Sequence, residues 1–192
     1  MTVHKMRKAQ GGALMIEVLV ALTIVFFGIM AVMRVQARLQ LSEVESHQRT
    51  QALILLNDMV NRMETNRNDA ENYATTNPLG VGATCTTPTT PTLQQSDHVE
   101  WCNALQGAGE TQDGADVGAM VGARGCVEAT VGPGVREYMI TVVWQGMTPI
   151  SAPPTSVVCA ANAFDETGSV CENDLCRRYA TTIVRQANLE TL

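Results

Sequence analysis

The run from Ala13 to Met33 holds one charged residue, Glu17. A helix rises about 1.5 Å per residue, so an apolar run of this length crosses the hydrocarbon core of a bilayer. An ionised carboxylate in such a run costs a few kcal/mol unless a partner compensates it. Three cations, Lys5, Arg7 and Lys8, precede the run; Gly12 marks its boundary, and Arg34 and Arg38 follow it. The positive-inside tendency puts the basic leader in the cytoplasm. A cleaved secretory signal would have a shorter apolar core, roughly 7–15 residues, and a small-x-small cleavage site. The best such site here, Val35-Gln36-Ala37, lies beyond the charged Arg34. A plain membrane anchor fits the length but explains neither Glu17 nor the glycine junction.

The stretch Gly12-Ala13-Leu14-Met15-Ile16-Glu17-Val18-Leu19-Val20-Ala21-Leu22 resembles the class III signal of type IV pilins and pseudopilins. The resemblance implies cleavage after Gly12 by a prepilin peptidase and N-methylation of the new terminus at Ala13. It also implies that Glu17 registers the subunit in a filament, facing the methylated amine of a neighbour. The physics agrees, because a carboxylate and an ammonium that meet in an apolar bundle avoid an unpaired buried charge. Most members of the family have Phe after the cut, and Ala13 departs from that. The run lacks the helix-kinking proline of the major pilins, so a straight apolar helix is expected.

The helix continues past the membrane. No Pro or Gly occurs from Arg34 to Glu64, and Ala52, Leu55, Leu56, Met59 and Met63 form an amphipathic stripe. Glu45 with Arg49, and Asp58 with Arg62, are i,i+4 acid–base pairs. Asn66, Asn68 and Asp69 signal the end. Thr75 to Ser96, with Pro78, Pro88 and Pro91 among many threonines, is predicted to be a surface loop whose threonines are also suited to sugars. Asp97 followed by Glu100 predicts a helix start, with a short helix from His98 to Gln106 ended by Gly107. A glycine-rich loop spans Gly107 to Gly125. Strand patterns follow at Cys126–Val131, Glu137–Gln145 and Arg177–Ala187, the first two joined by the turn Gly132-Pro133-Gly134. The expected fold class is α+β: a long helix, transmembrane in its first half and amphipathic in its second, packed on a small antiparallel meander. That is also the pilin fold.

The short helix with Trp101, the Tyr138-x-Ile140-x-Val142-x-Trp144 strand and the Arg177-Arg178-Tyr179 strand resemble the PilV group of minor pilins. The segment Glu17 to Leu22 is shared with GspI-type minor pseudopilins of type II secretion, which are shorter and poor in cysteine. The resemblance divides the chain into a cleaved leader (1–12), a transmembrane or filament-core half-helix (13–33), an amphipathic half-helix (34–66) and a periplasmic globular domain (67–192).

All six cysteines, Cys85, Cys102, Cys126, Cys159, Cys171 and Cys176, lie in that last region, which favours disulfides in an oxidising compartment. Six cysteines allow fifteen pairings. As in many pilins, a bridge from Cys159 to Cys171 or Cys176 would pin the loop before the last strand. Cys171-x-x-x-x-Cys176 has the wrong spacing for a zinc knuckle. Asp113 and Asp116 do not match a calcium loop, the glycine loop lacks a phosphate-binding Lys-Ser/Thr end, and no serine elbow occurs. His98 and Cys102, at i,i+4, are the one nucleophile-like pair, and the expected disulfide removes it. Without the three leader cations, 10 basic residues of the original 13 face 19 acidic ones, a net charge of -9 that repels nucleic acid. The expected protein is non-enzymatic and carries no metal or cofactor. The resemblance implies a minor pilin that helps prime assembly and enters the pilus at or near the tip. The resemblance implies as partners a prepilin peptidase, other minor pilins, the major pilin and a large tip adhesin. It places the chain in the inner membrane with a periplasmic domain, then in the extracellular pilus. A type II secretion pseudopilin, or a membrane-tethered periplasmic binding domain or enzyme, are the alternatives.

Overall fold

The computed structural model describes residues 11–109, 111–113, 115–116, 118, 120–132 and 135–187. The chain divides into two compact units, Met1–Val44 and Glu45–Leu192. Helix α1, Gly11–Thr65, runs from one into the other. It is followed by a 3₁₀ turn at Arg67–Tyr73, β1 (Leu79–Gly80), α2 (Leu93–Gln106), β2 (Thr111–Gln112), β3 (Ala115–Asp116), β4 (Arg124–Gly132), β5 (Val135–Gln145) and β6 (Arg177–Ala187).

The second unit is α+β, as the periodicities predict. Its main sheet has the order β1-β4-β5-β6, antiparallel throughout, and β2 pairs with β3 as a separate ribbon. Alternation along β5 sends Tyr138, Ile140, Val142 and Trp144 to one face, where they join Val127 of β4 and Val184 of β6. The α1 stripe Ala52, Leu56, Met59 and Met63 closes over that face in one buried cluster, with Trp101 and Leu105 of α2. Each of these large side chains removed from water contributes about 1.5–3 kcal/mol, so the stripe and the sheet are a principal source of the unit's stability. The Trp101 indole N–H also donates to the Leu55 carbonyl at 2.8 Å, tying α2 to α1. The Trp101 ring lies so close to Gly125 that a Cβ at that position would overlap it.

Several boundaries differ from the sequence expectation. Helix α2 begins at Leu93, with Thr92 as its cap: the Thr92 hydroxyl accepts the Gln95 N–H and the Gln95 side chain accepts the Thr92 N–H. Asp97 is therefore no cap; it lies buried one turn inside the helix. The Thr75–Ser96 tract is not all loop either, since Leu79 and Gly80 pair with Gly125 and Arg124. Gly80 has φ +104°, a conformation that glycine adopts without strain. Strands β4 and β5 start two residues earlier than the alternation alone suggests. They pair through to Gly132 opposite Val135, while Pro133 and Gly134 of the expected turn lie outside the described residues.

The opposite face of the sheet is partly covered by the long excursion between β5 and β6. Cys126, Val143, Cys159 and Phe164 form a second small core there, and the Arg124 guanidinium sits 5.1 Å from the Phe164 ring centroid. Arg177 is buried and holds the excursion in place, donating to the carbonyls of Val157 and Cys159 at 2.8 Å and to the Asp174 carboxylate at 2.9 Å. The buried guanidinium is tolerated because its two terminal nitrogens meet two carbonyls and a carboxylate, although its Nε has no partner among the described residues.

Candidate functional site: the long helix and its seat

Within the first unit, residues 15–44 of α1 are all exposed. Ile16, Val20, Ile24, Phe27, Val32 and Val35 are among more than a dozen large apolar side chains that stand free on every side of the helix. The span beginning at Met15 is apolar enough to cross a membrane, with a mean hydropathy of 2.6 over its best window. A helix that is apolar all round belongs in lipid or among other apolar helices. The Thr23 hydroxyl, within the apolar run, is satisfied by donating to the Val20 carbonyl at 2.8 Å. Glu17 is exposed on this surface and has no ion-pair partner among the described residues. Gly12 and Ala13 lie in the first turn of α1, while Lys5, Arg7 and Lys8 lie outside the described residues.

Within the second unit, three polar contacts seat the helix. Arg62 reaches Asp58 at 2.9 Å, as the i,i+4 spacing predicts, and also Asp97 at 2.9 Å and Glu100 at 2.7 Å on α2. Burial works against the Arg62 charge, but the carboxylates of Glu100, Asp58 and Asp97 outweigh it and hold the guanidinium above its ordinary value. Asp97 also accepts the hydroxyl of buried Tyr73. Burial first, then that carboxylate, push the Tyr73 phenol up to about 12. A shallow groove of about 300 Å³ runs along this junction, lined by Asp58, Asn61, Arg62, Thr65, Leu93 and Asp97. Arg62 is already occupied by three carboxylates, so the groove offers no free cation to an anionic ligand. At the other end, Glu45 pairs with Arg178 of β6 at 3.2 Å, not with Arg49 as its spacing suggests. Sequence alone had no signal for Arg178, because the partners are 133 residues apart.

His98 and Cys102 do not form a nucleophile pair. Cys102 is bonded to Cys85. The His98 ring stands edge-on to Tyr73, with Nε2 3.1 Å from the Tyr73 carbonyl and Nδ1 2.8 Å from the Gln94 amide nitrogen. One nitrogen then donates and the other accepts, which fits a neutral imidazole. Burial lowers its pKa from the ordinary value.

All six cysteines are paired: Cys85 with Cys102, Cys126 with Cys159, and Cys171 with Cys176. The expected link from Cys159 to Cys171 or Cys176 is not made. Cys159 instead faces the sheet, where Cys126 on β4 meets it beside Val143 and Phe164. Cys171 and Cys176 close a tight loop of their own, just before β6.

No family model, no curated protein and no solved structure matches this chain.

Proposed function

We propose that this chain is a minor pilin of a type IV pilus, similar to the PilV group: a structural subunit without catalytic activity. It waits in the inner membrane and then enters the filament at or near its tip, after helping to prime assembly. The observation that carries this reading is helix α1. It begins beside Gly12 and Ala13, carries one carboxylate on a surface that is apolar on every side, and continues without a break into a stripe buried on an antiparallel sheet. A plain anchor has no need of Glu17, whereas a subunit that leaves lipid to pack against equivalent helices does.

In this mechanism a prepilin peptidase cuts after Gly12 and methylates Ala13. Before assembly the apolar half of α1 is solvated by lipid. During assembly, neighbouring helices replace the lipid, and the Glu17 carboxylate meets the ammonium of an adjacent subunit. Close charges in such a medium attract strongly, and an unpaired carboxylate there is costly, so registry is enforced by the penalty on misalignment. The acidic domain beyond the neck meets other minor pilins, the major pilin and a large tip adhesin, and has no role with nucleic acid.

Two experiments test the proposal. Glu17→Ala should be processed and inserted normally but be lost from sheared filaments; recovery at wild-type level would contradict the pairing role. Deleting the chain should reduce surface pili and leave protein export intact. Loss of export with pili intact would assign it to a type II secretion pseudopilus instead.

A further inference from the structure

Strand β6 forms one edge of the main sheet. Hydrogen-bond directions alternate along an antiparallel strand, so the direction at one residue fixes the rest. Val127 of β4 turns away from β5: its carbonyl accepts the Thr75 N–H at 2.8 Å, and its N–H donates to the Thr75 hydroxyl at 3.0 Å. Cys126 and Glu128 therefore bond to β5, through their partners Thr141 and Met139. That leaves Tyr138 and Ile140 to bond to β6, through Val184 and Thr182. Tyr179, Thr181, Ile183 and Arg185 then present their N–H and C=O groups at the open edge. No turn or loop among the described residues meets them.

An open edge is a template for another strand, and folded sheets guard it with Pro, Lys, a bulge or a covering segment. The opposite edge is guarded, since β1 is two residues long and Thr75 takes over at Val127. Strand β6 has no such guard. Its register against β5 runs without a break from Arg177 to Ala187, and it contains no Pro or Lys. Its one well-exposed charge, Arg185, is turned to Glu137 at 2.7 Å.

We propose that the open edge of β6 takes up an extended segment of another protein chain as a fifth strand of the sheet. Backbone pairing supplies the attachment and the alternating side chains supply the selectivity. Strand β6 holds Arg177, Arg178 and Arg185 and no acid. The incoming segment accordingly carries Asp or Glu rather than Lys or Arg. Beside Tyr179, Thr181 and Ile183 it places β-branched or aromatic residues, which pair best across strands. A second copy of this chain does not fit. Two β6 edges pair symmetrically only as antiparallel strands, about a two-fold axis normal to the sheet. Helix α1 runs along β6 in the same direction, with Glu45 at Arg178 and the Met63 carbonyl at Gln186. The two-fold axis would reverse α1 in the second copy, whereas copies anchored by the same helix leave the membrane in the same direction. That exclusion rests on the proposed membrane anchor; the open edge does not.

Backbone amide exchange of the full chain tests this, measured alone in detergent and again in whichever membrane or sheared-filament fraction of its native cells holds it. Alone, the amides of Ala180, Thr182 and Val184 should be protected and those of Tyr179, Thr181, Ile183 and Arg185 should exchange freely. In the cellular fraction the second set should slow by about tenfold or more. Ile183→Pro removes only an N–H that faces the open edge, so the β5–β6 pairing should survive while the added protection is lost. Thr182→Pro removes a bond to β5 and should loosen the pairing itself. A benzophenone side chain in place of Tyr179 should cross-link β6 to a different chain, through a segment bearing Asp or Glu. Edge amides already protected in the isolated chain, edge amides equally fast in both samples, or a cross-linked product made of two copies would each overturn the proposal. The amino-terminal peptide of the same digests reports leader removal and methylation separately, so the pilin reading and this one fail independently.

Discussion

Glu45 and Arg178, 133 residues apart in the chain, meet at 3.2 Å where α1 lies against the start of β6. The Arg178 guanidinium also donates to the Thr148 carbonyl at 2.6 Å and covers Gly146, leaving no room there for a Cβ. The glutamate is partly solvated, so the pair itself has a modest coupling, about 0.5–1 kcal/mol. Arg178→Ala should cost more than Glu45→Ala, because it also abandons a carbonyl and opens a gap over Gly146. Urea unfolding of the full chain in detergent, run as a double-mutant cycle, checks both expectations.

Gly125→Ala should be one of the most damaging small substitutions in the second unit. The added methyl collides with the Trp101 ring, which is fully buried and fixed by its hydrogen bond to Leu55. Overpacking of this kind costs about 1–3 kcal/mol. A lower unfolding midpoint with altered tryptophan fluorescence is expected.

Stability should fall at both ends of the pH scale for different reasons. The folded Tyr73 phenol keeps its proton up to about 12, against an ordinary value of 10. Its contribution is complete below pH 10 and is lost as pH rises from 10 toward 12. Asp97→Asn should bring the phenol's titration, followed by ultraviolet absorbance, closer to its ordinary value, although burial keeps it raised. His98 works the other way. Its folded pKa lies below the ordinary 6.5, so stability is lost as pH falls below 6.5. His98→Phe should flatten that acid-side dependence in thermal melts.

The disulfide from Cys126 to Cys159 spans 33 residues and anchors the β5–β6 excursion to the sheet. Replacing both cysteines with alanine should cost about 2–4 kcal/mol and expose Phe164 and Val143 to proteolysis or dye binding. The short Cys171–Cys176 bridge closes a far smaller loop, so its removal should cost less.

Repetitive features of the fold were legible in the sequence. The helical spacing of Ala52, Leu56, Met59 and Met63 and the alternation of β5 and β6 have periods that survive any tertiary context, and Arg177–Ala187 is found with the predicted bounds. Long-range relationships were not legible. Asp97 has the spacing of a helix cap, but Arg62 and Tyr73 draw its carboxylate into the interior, and Thr92 caps the helix instead. Cys159 is near Cys171 in sequence, yet the second core turns it toward β4. The two-residue strand at Leu79 has no periodicity to detect; it exists because Gly80 turns the chain where β4 offers a free edge. For the candidate site, Glu17 and Gly12 stood out from sequence alone, because a charge in an apolar run is conspicuous in any fold.

The central claim is that α1 is released by a cut after Gly12 to act as an assembly element. Intact-mass analysis of the protein purified from cells with an active prepilin peptidase tests it most directly. The account predicts an amino terminus at Ala13 carrying a methyl group on its nitrogen. A chain that still begins at Met1, with no trace of the shorter species, would contradict it.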